Sequence, residues 1–113
     1  MKVHNINIDR KYFEPIREGK ITLLIFKTKV LKNASPGDCI LAAKGNYDIK
    51  TRFSKYYIKA FEDITEEEAR KAGFLNKDFL KEELIHKYDL NPIFDFIDGV
   101  SSIDKELFFF NRN

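Results

Sequence analysis

The stretch Gly19-Lys20-Ile21-Thr22-Leu23-Leu24-Ile25-Phe26-Lys27-Thr28-Lys29 decides how the rest of the chain is read. Gly19 suits a helix end, because a residue without Cβ enters the left-handed conformation at little steric cost. It closes a short amphipathic segment, Asp9 to Glu18, in which Tyr12, Phe13 and Ile16 share an apolar face. Pro15 must then lie near the first turn of that helix, where its missing N–H is harmless. From Leu23 to Phe26 every side chain is apolar. A strand with one wet face would alternate, so this run predicts a strand buried on both faces. The face that carries Thr22, Leu24 and Phe26 matters most for function.

Working outward, Val3 to Ile8 gives a weak first-strand signal, and Asn33-Ala34-Ser35-Pro36-Gly37-Asp38 is the clearest turn. There Pro36 sets φ, and Gly37 takes the positive φ of a type II turn. Cys39 to Ala43 reads as a short buried strand, Gly45-Asn46 as a bend, and Thr51 to Phe61 as a long strand. Thr65 with Glu68 three residues on is a capping box, for a short helix ending at Gly73. Asn76 caps a second helix, Lys77 to about Tyr88, with Leu80, Leu84 and Tyr88 as its buried stripe and Asn91-Pro92 as its breaker. Ile93 to Val100 is ambiguous, and Glu106 to Phe110 reads as a closing strand. Early and late strands with helices between them predict a small α+β barrel of about five to six strands and two to three short helices.

The totals fit a single domain, residues 1–113, with one core to which eleven Phe contribute bulk. Charged residues make up 34%, above the usual share of about 25%. The net charge of +2 conceals a polarity: residues 1–60 carry +8 and residues 61–113 carry −6. No apolar run approaches the ~20 residues of a membrane span, and the N-terminus lacks a signal-peptide core, so no membrane partner and a cytoplasmic location are expected. The lone Cys39 reads as a buried thiol rather than a nucleophile. With one Cys and two His in unrelated elements, neither a metal site nor a cofactor is expected. Glu66, Glu67, Glu68, Glu82 and Glu83 read as exposed helix faces.

The order of these parts resembles the ASCH domain, a branch of the PUA-like barrels, over nearly the whole chain. The resemblance is carried by a helix ending in Gly19-Lys20-Ile21-Thr22, the Pro36-Gly37-Asp38 turn, and Phe61-Glu62-Asp63-Ile64-Thr65-Glu66-Glu67 through Ala72-Gly73-Phe74. It implies a β-barrel with a cleft beside the first of these segments, and a role in binding RNA or modified nucleosides. Some members hydrolyse N4-acetylcytidine, and others are described as ribonucleases. The hydrolase pattern is Gly-x-Lys-Thr-x-Thr-x-Arg, with a glutamate in the helix after the long strand. Gly19 and Thr22 match it. The lysine falls on Ile21, the threonine on Leu24, the arginine on Phe26 and the glutamate on Ala72. A one-residue shift lets Lys20 stand in for the lysine, and Lys27 supplies charge near the arginine position; nothing replaces the threonine.

Amide hydrolysis needs a nucleophile or activated water, a proton-transfer group and oxyanion stabilisation. The matched face offers one hydroxyl and two hydrocarbons, so a non-catalytic binding module is expected, without acetylcytidine hydrolase activity. Its expected ligand is RNA or a nucleotide-like molecule. The candidate contacts are Lys20, Thr22, Lys27, Lys29, Lys44, Lys50, Arg52 and Lys55 for phosphate, and Tyr47 for stacking on a base. The alternative is a small protein inhibitor or adaptor, encoded by a phage or mobile element. Its acidic second half would mimic nucleic acid towards a nucleic-acid-processing or defence protein.

Overall fold

Strands and helices alternate irregularly along the chain: β1 (Val3–Asn5), α1 (Phe13–Arg17), β2 (Leu23–Lys27), β3 (Cys39–Lys44), β4 (Tyr47–Ala60), α2 (Glu66–Lys71), α3 (Lys77–Tyr88), β5 (Phe96–Ile103) and β6 (Phe108–Asn111). The structure is a computed structural model describing residues 1–44, 47–103 and 108–111; for 43, 44, 47, 48, 102 and 108–111 it describes the backbone alone. The predicted Gly45-Asn46 bend and the segment 104–107 lie outside the described residues.

The fold is α+β, and the long strand β4 is its axis. The first half of β4 pairs antiparallel with β3, from Lys44↔Tyr47 to Cys39↔Arg52, and also with β6. Its second half pairs with β5, from Phe53↔Ile103 to Ala60↔Phe96. β5 in turn holds β2, and β1 runs parallel to β3, so the path reads β1-β3-β4-β5-β2. Among the described residues β1 and β2 do not pair with each other. Among the described residues the sheet is therefore open, and the barrel expected from the sequence is not confirmed. Three-residue β1 offers little edge for closure, and Phe13 and Ile16 of α1 add apolar surface to the core in its place.

β2 is buried on both faces, as its composition predicts. Leu24 and Phe26 join Ile40, Ile49, Phe53 and Val100 in one cluster inside the curled sheet. Ile25 points the other way and packs with Tyr57 against a second cluster, which contains Phe61, Ala69, Leu80, Leu84 and Ile97. Gly19 has φ +77°, and its N–H donates to the Ile16 carbonyl at 3.1 Å, ending α1 where expected.

The capping box at α2 forms. Thr65 Oγ1 accepts from the Glu68 N–H at 3.1 Å, and Glu68 Oε1 accepts from the Thr65 N–H at 2.9 Å. Glu68 does more than cap, because it also accepts from Lys59 Nζ at 2.7 Å and from the Tyr57 hydroxyl. Burial pushes its carboxyl up, but the Lys59, Tyr57 and Thr65 hydrogen bonds outweigh that and hold it below the usual range. Glu68 is thus half-buried and ties α2 to β4, a correction to its reading as part of an exposed face. Thr65→Ala is expected to cost about 1 kcal/mol of stability in urea denaturation.

α3 starts at Asn76, whose side chain accepts from the Phe79 N–H at 3.0 Å. It ends at Asp89 in the left-handed region, φ 53°, before the Asn91-Pro92 pair expected to break it. The ambiguous run Ile93 to Val100 divides into a turn and β5. β4 begins at Tyr47, earlier than the predicted Thr51. Among the described residues no helix is long and apolar enough to cross a membrane.

Candidate functional site

Ile21, Leu24, Phe26 and Ala72 come from three places in the chain and converge on one pocket of about 340 Å³. These are the four positions onto which the hydrolase pattern falls. Strand alternation brings Leu24 and Phe26 to one face, Ile21 enters from the turn before β2, and Ala72 caps α2. Leu80 of α3 and Ile8 complete an apolar floor. Phe26 is buried and forms part of the wall of the pocket.

The mouth is aromatic and charged. Tyr12 and Phe74 face each other with ring centroids 6.4 Å apart and planes tilted by 44°. Asn7 and Asp9 stand on the side of the N-terminal segment; Glu83, His86 and Lys87 stand on α3. Lys87 Nζ donates to the Asn7 carbonyl at 3.3 Å and lies 5.2 Å from the Tyr88 ring centre. Lys11 Nζ lies 5.1 Å from the centre of the Tyr12 ring.

The rim thus holds a hydroxyl, two carboxylates and amines, none at the positions of the hydrolase pattern. Their protonation does not favour nucleophilic chemistry. The Lys11 ammonium is stabilised by Tyr12 and then by Glu83, which raises its pKa. Burial raises that of the Tyr12 hydroxyl; Lys11 opposes this and Glu83 adds to it. An activated amine or phenol needs the opposite shift.

The residues expected to contact ligand lie elsewhere, and among the described side chains none of them lines this pocket. Lys20 is exposed and pairs with Glu18 at 2.9 Å. Thr22 is exposed, and its N–H donates to the Lys71 carbonyl at 2.9 Å. Lys27 is half-buried at the far end of β2, and Lys29, exposed, follows at φ 83°. On β4, Lys50 is half-buried and Lys55 is exposed; exposed Arg52 donates to Met1 Sδ at 3.5 Å. The backbones of Lys44 and Tyr47 pair across β3 and β4, while their side chains lie outside the described ones. Lys20 and Thr22 are thus a strand length, roughly 16 Å, from Lys27 and Lys29.

The residues missed by sequence reasoning are Tyr12, Glu83, His86 and Lys87. A signal for two of them existed. Leu80, Glu83, Leu84 and Lys87 recur at helical spacing, so the stripe that buries the leucines also brings Glu83 and Lys87 to the pocket side of α3. Half-buried Glu83 is therefore a correction to its reading as part of an exposed face.

Cys39 is buried, as expected, and its thiol faces Met1 Sδ at 3.4 Å. His4 pairs with Ile40 in the β1–β3 register, which places it on the opposite face from Cys39. Its ring instead meets Asp38 at 3.0 Å. Among the described residues, no three His, Cys, Asp or Glu side chains gather as a metal site would require.

No family model and no curated protein matches the sequence. Among solved structures, the hypothetical protein PH0355 is similar, with a TM-score of 0.73 and 18% identity over 92% of this chain and 98% of that one. Protein EF3133 from Enterococcus faecalis V583, labelled family-model DUF984, is also similar, with a TM-score of 0.70 and 16% identity over 92% of this chain and 75% of that one. At these identities the likeness establishes the fold.

Proposed function

We propose that this chain is a non-catalytic, ASCH-like binding module that holds the ring of a nucleotide-like ligand in the pocket that Tyr12 and Phe74 help to line. The carrying observation is that the four positions of the hydrolase pattern line one pocket, and all four are hydrocarbon: Ile21, Leu24, Phe26 and Ala72. At about 340 Å³ the pocket lies in the usual range for small ligands, about 300–1,000 Å³. An apolar floor with aromatic sides suits the faces of a heterocycle, and the polar rim suits its edges.

The geometry favours recognition of a ring over recognition of a phosphate backbone, because among the described side chains none of the lysines or the arginine singled out by the sequence lines the pocket. Calorimetric titration with the four ribonucleosides is expected to give saturable binding to at least one. Ala72→Trp, which fills the pocket from α2, is expected to weaken that binding by about a hundredfold. N4-acetylcytidine is expected to be left intact. Turnover clearly above buffer, abolished by substituting Tyr12 or Glu83, would refute the non-catalytic reading.

One observation favours the inhibitor or adaptor reading. Ile93 and Phe94 are 67% and 75% exposed on a turn where Asn91 Oδ1 accepts from their N–H groups at 3.0 and 3.4 Å. Phe96 and Ile58 extend this apolar surface along β5 and β4. If no ribonucleoside binds, that surface becomes the stronger candidate.

A further inference from the structure

We infer that the pocket selects an uncharged or cationic ring compound and rejects its phosphate ester, with Glu83 as the specificity-determining residue. This rests on the ring-binding reading above and adds to it the ligand's charge. The pocket does not end at its mouth. A second, shallower cavity of about 480 Å³ adjoins it, and Phe74, Glu83 and His86 line both. A ligand seated on the floor and extending along this path passes Glu83 and reaches a shelf formed by Gly73, Leu75, Phe79 and Glu82. Leu75 and Phe79 are 80% and 53% exposed, so the shelf is apolar, with carboxylates along its α3 side.

The cations near the mouth are already engaged. The Lys87 ammonium bonds the Asn7 carbonyl and lies against Tyr88. Lys11 lies over Tyr12, beside the carboxylates of Glu83 and Asp9. Asp9 spends one carboxylate oxygen on the Lys11 N–H at 3.1 Å and keeps its negative charge at the mouth. A phosphate carried outward on the ring would meet half-buried Glu83, where like charges repel more strongly than in water, and then exposed Glu82 on the shelf. A neutral hydroxyl or an ammonium at the same place meets acceptors.

The test compares the four ribonucleosides with their 5′-monophosphates by calorimetry, on the native chain, Glu83→Gln and Glu82→Gln. The native chain is expected to bind the preferred nucleoside about tenfold more tightly than its monophosphate, and the gap should shrink with added salt. Glu83→Gln should narrow the gap to about threefold, whatever it does to the affinity for the nucleoside itself. Glu82→Gln, on the open shelf, should narrow it less and serves as the readout if Glu83→Gln does not fold. A native chain that binds the monophosphate equally well or better overturns the inference but leaves the pocket reading standing. A gap untouched by both substitutions overturns the assignment to the carboxylates. Failure of every nucleoside and monophosphate to bind removes the pocket reading, and this inference with it.

Discussion

Gly99→Ala is expected to lower stability by about 3 kcal/mol, although it adds a single methyl group. A Cβ at Gly99 would stand 2.4 Å from Tyr57 Cζ, 2.7 Å from its hydroxyl oxygen and 2.8 Å from Cε1. The register explains the closeness: Tyr57 lies directly across from Gly99, which also pairs with Ile25, so the ring spreads over the backbone of the central strand. The ring end has nowhere to go. Its hydroxyl donates to Glu68, which is held by Lys59 and the Thr65 cap. Burial, and then Glu68, push the Tyr57 hydroxyl well above the usual phenol range, so it remains a donor. Overpacking costs about 1–3 kcal/mol, and displacing the ring adds about 1 kcal/mol for its hydrogen bond. A double-mutant cycle checks the mechanism, since in a Tyr57→Ala background the same substitution should cost less than about 1 kcal/mol. Equal costs in the two backgrounds would place the strain elsewhere.

How far this architecture was legible depended on whether a residue's partners were close in sequence. Burial of β2 on both faces followed from Leu23 to Phe26 alone, because a run without polar side chains has no face to give to water. The Thr65 and Asn76 caps and the Gly19 helix end were equally local. Openness of the sheet was not, since it depends on whether β1 and β2 meet, and no short motif encodes that. The pocket was half legible. Its floor positions followed from alternation and from the ASCH resemblance, whereas its rim required knowing that α3 lies beside β2. Glu82 and Glu83 are adjacent and chemically alike, yet one is exposed and the other half-buried at the mouth. Only the packing of Leu80 and Leu84 distinguishes them. The basic residues misled in a comparable way: Lys20 and Lys27 flank one strand, but a strand separates its ends instead of gathering them.

Asp38→Ala is expected to cost about 3 kcal/mol and to remove most of the acid-side pH dependence of folding. The Asp38 carboxylate is buried where the Pro36-Gly37 turn enters β3 and accepts three hydrogen bonds, each at 3.0 Å: from His4 Nε2, the Lys2 N–H and the Ser35 N–H. The His4 bond first, and then the Lys2 N–H, pull its pKa from 3.8 down to about 2, against the effect of burial. Because the folded value is the lower one, the unfolded chain binds more protons in this window. The contribution of Asp38 is therefore complete above 3.8 and is lost as pH falls through about 2. Asp98 works in the opposite sense. Burial raises its pKa, the Thr28 and Tyr56 hydroxyls only partly offset this, and one carboxylate oxygen has no hydrogen-bond partner among the described residues. Its share of stability falls as pH rises above the ordinary carboxyl value. Urea midpoints measured from pH 2 to 6 should thus rise steeply and then flatten in the native chain, and in Asp38→Ala the steep limb should go. An unchanged limb would assign the acid sensitivity to other carboxylates. The same substitution reaches the pocket, because the His4–Asp38 pair anchors β1, and β1 runs directly into Asn7, Ile8 and Asp9 at the floor and mouth. Nucleoside affinity should therefore fall in Asp38→Ala at a pH where the chain is still folded, and it should fall for every nucleoside alike, since the anchor holds the mouth in place without touching what enters it.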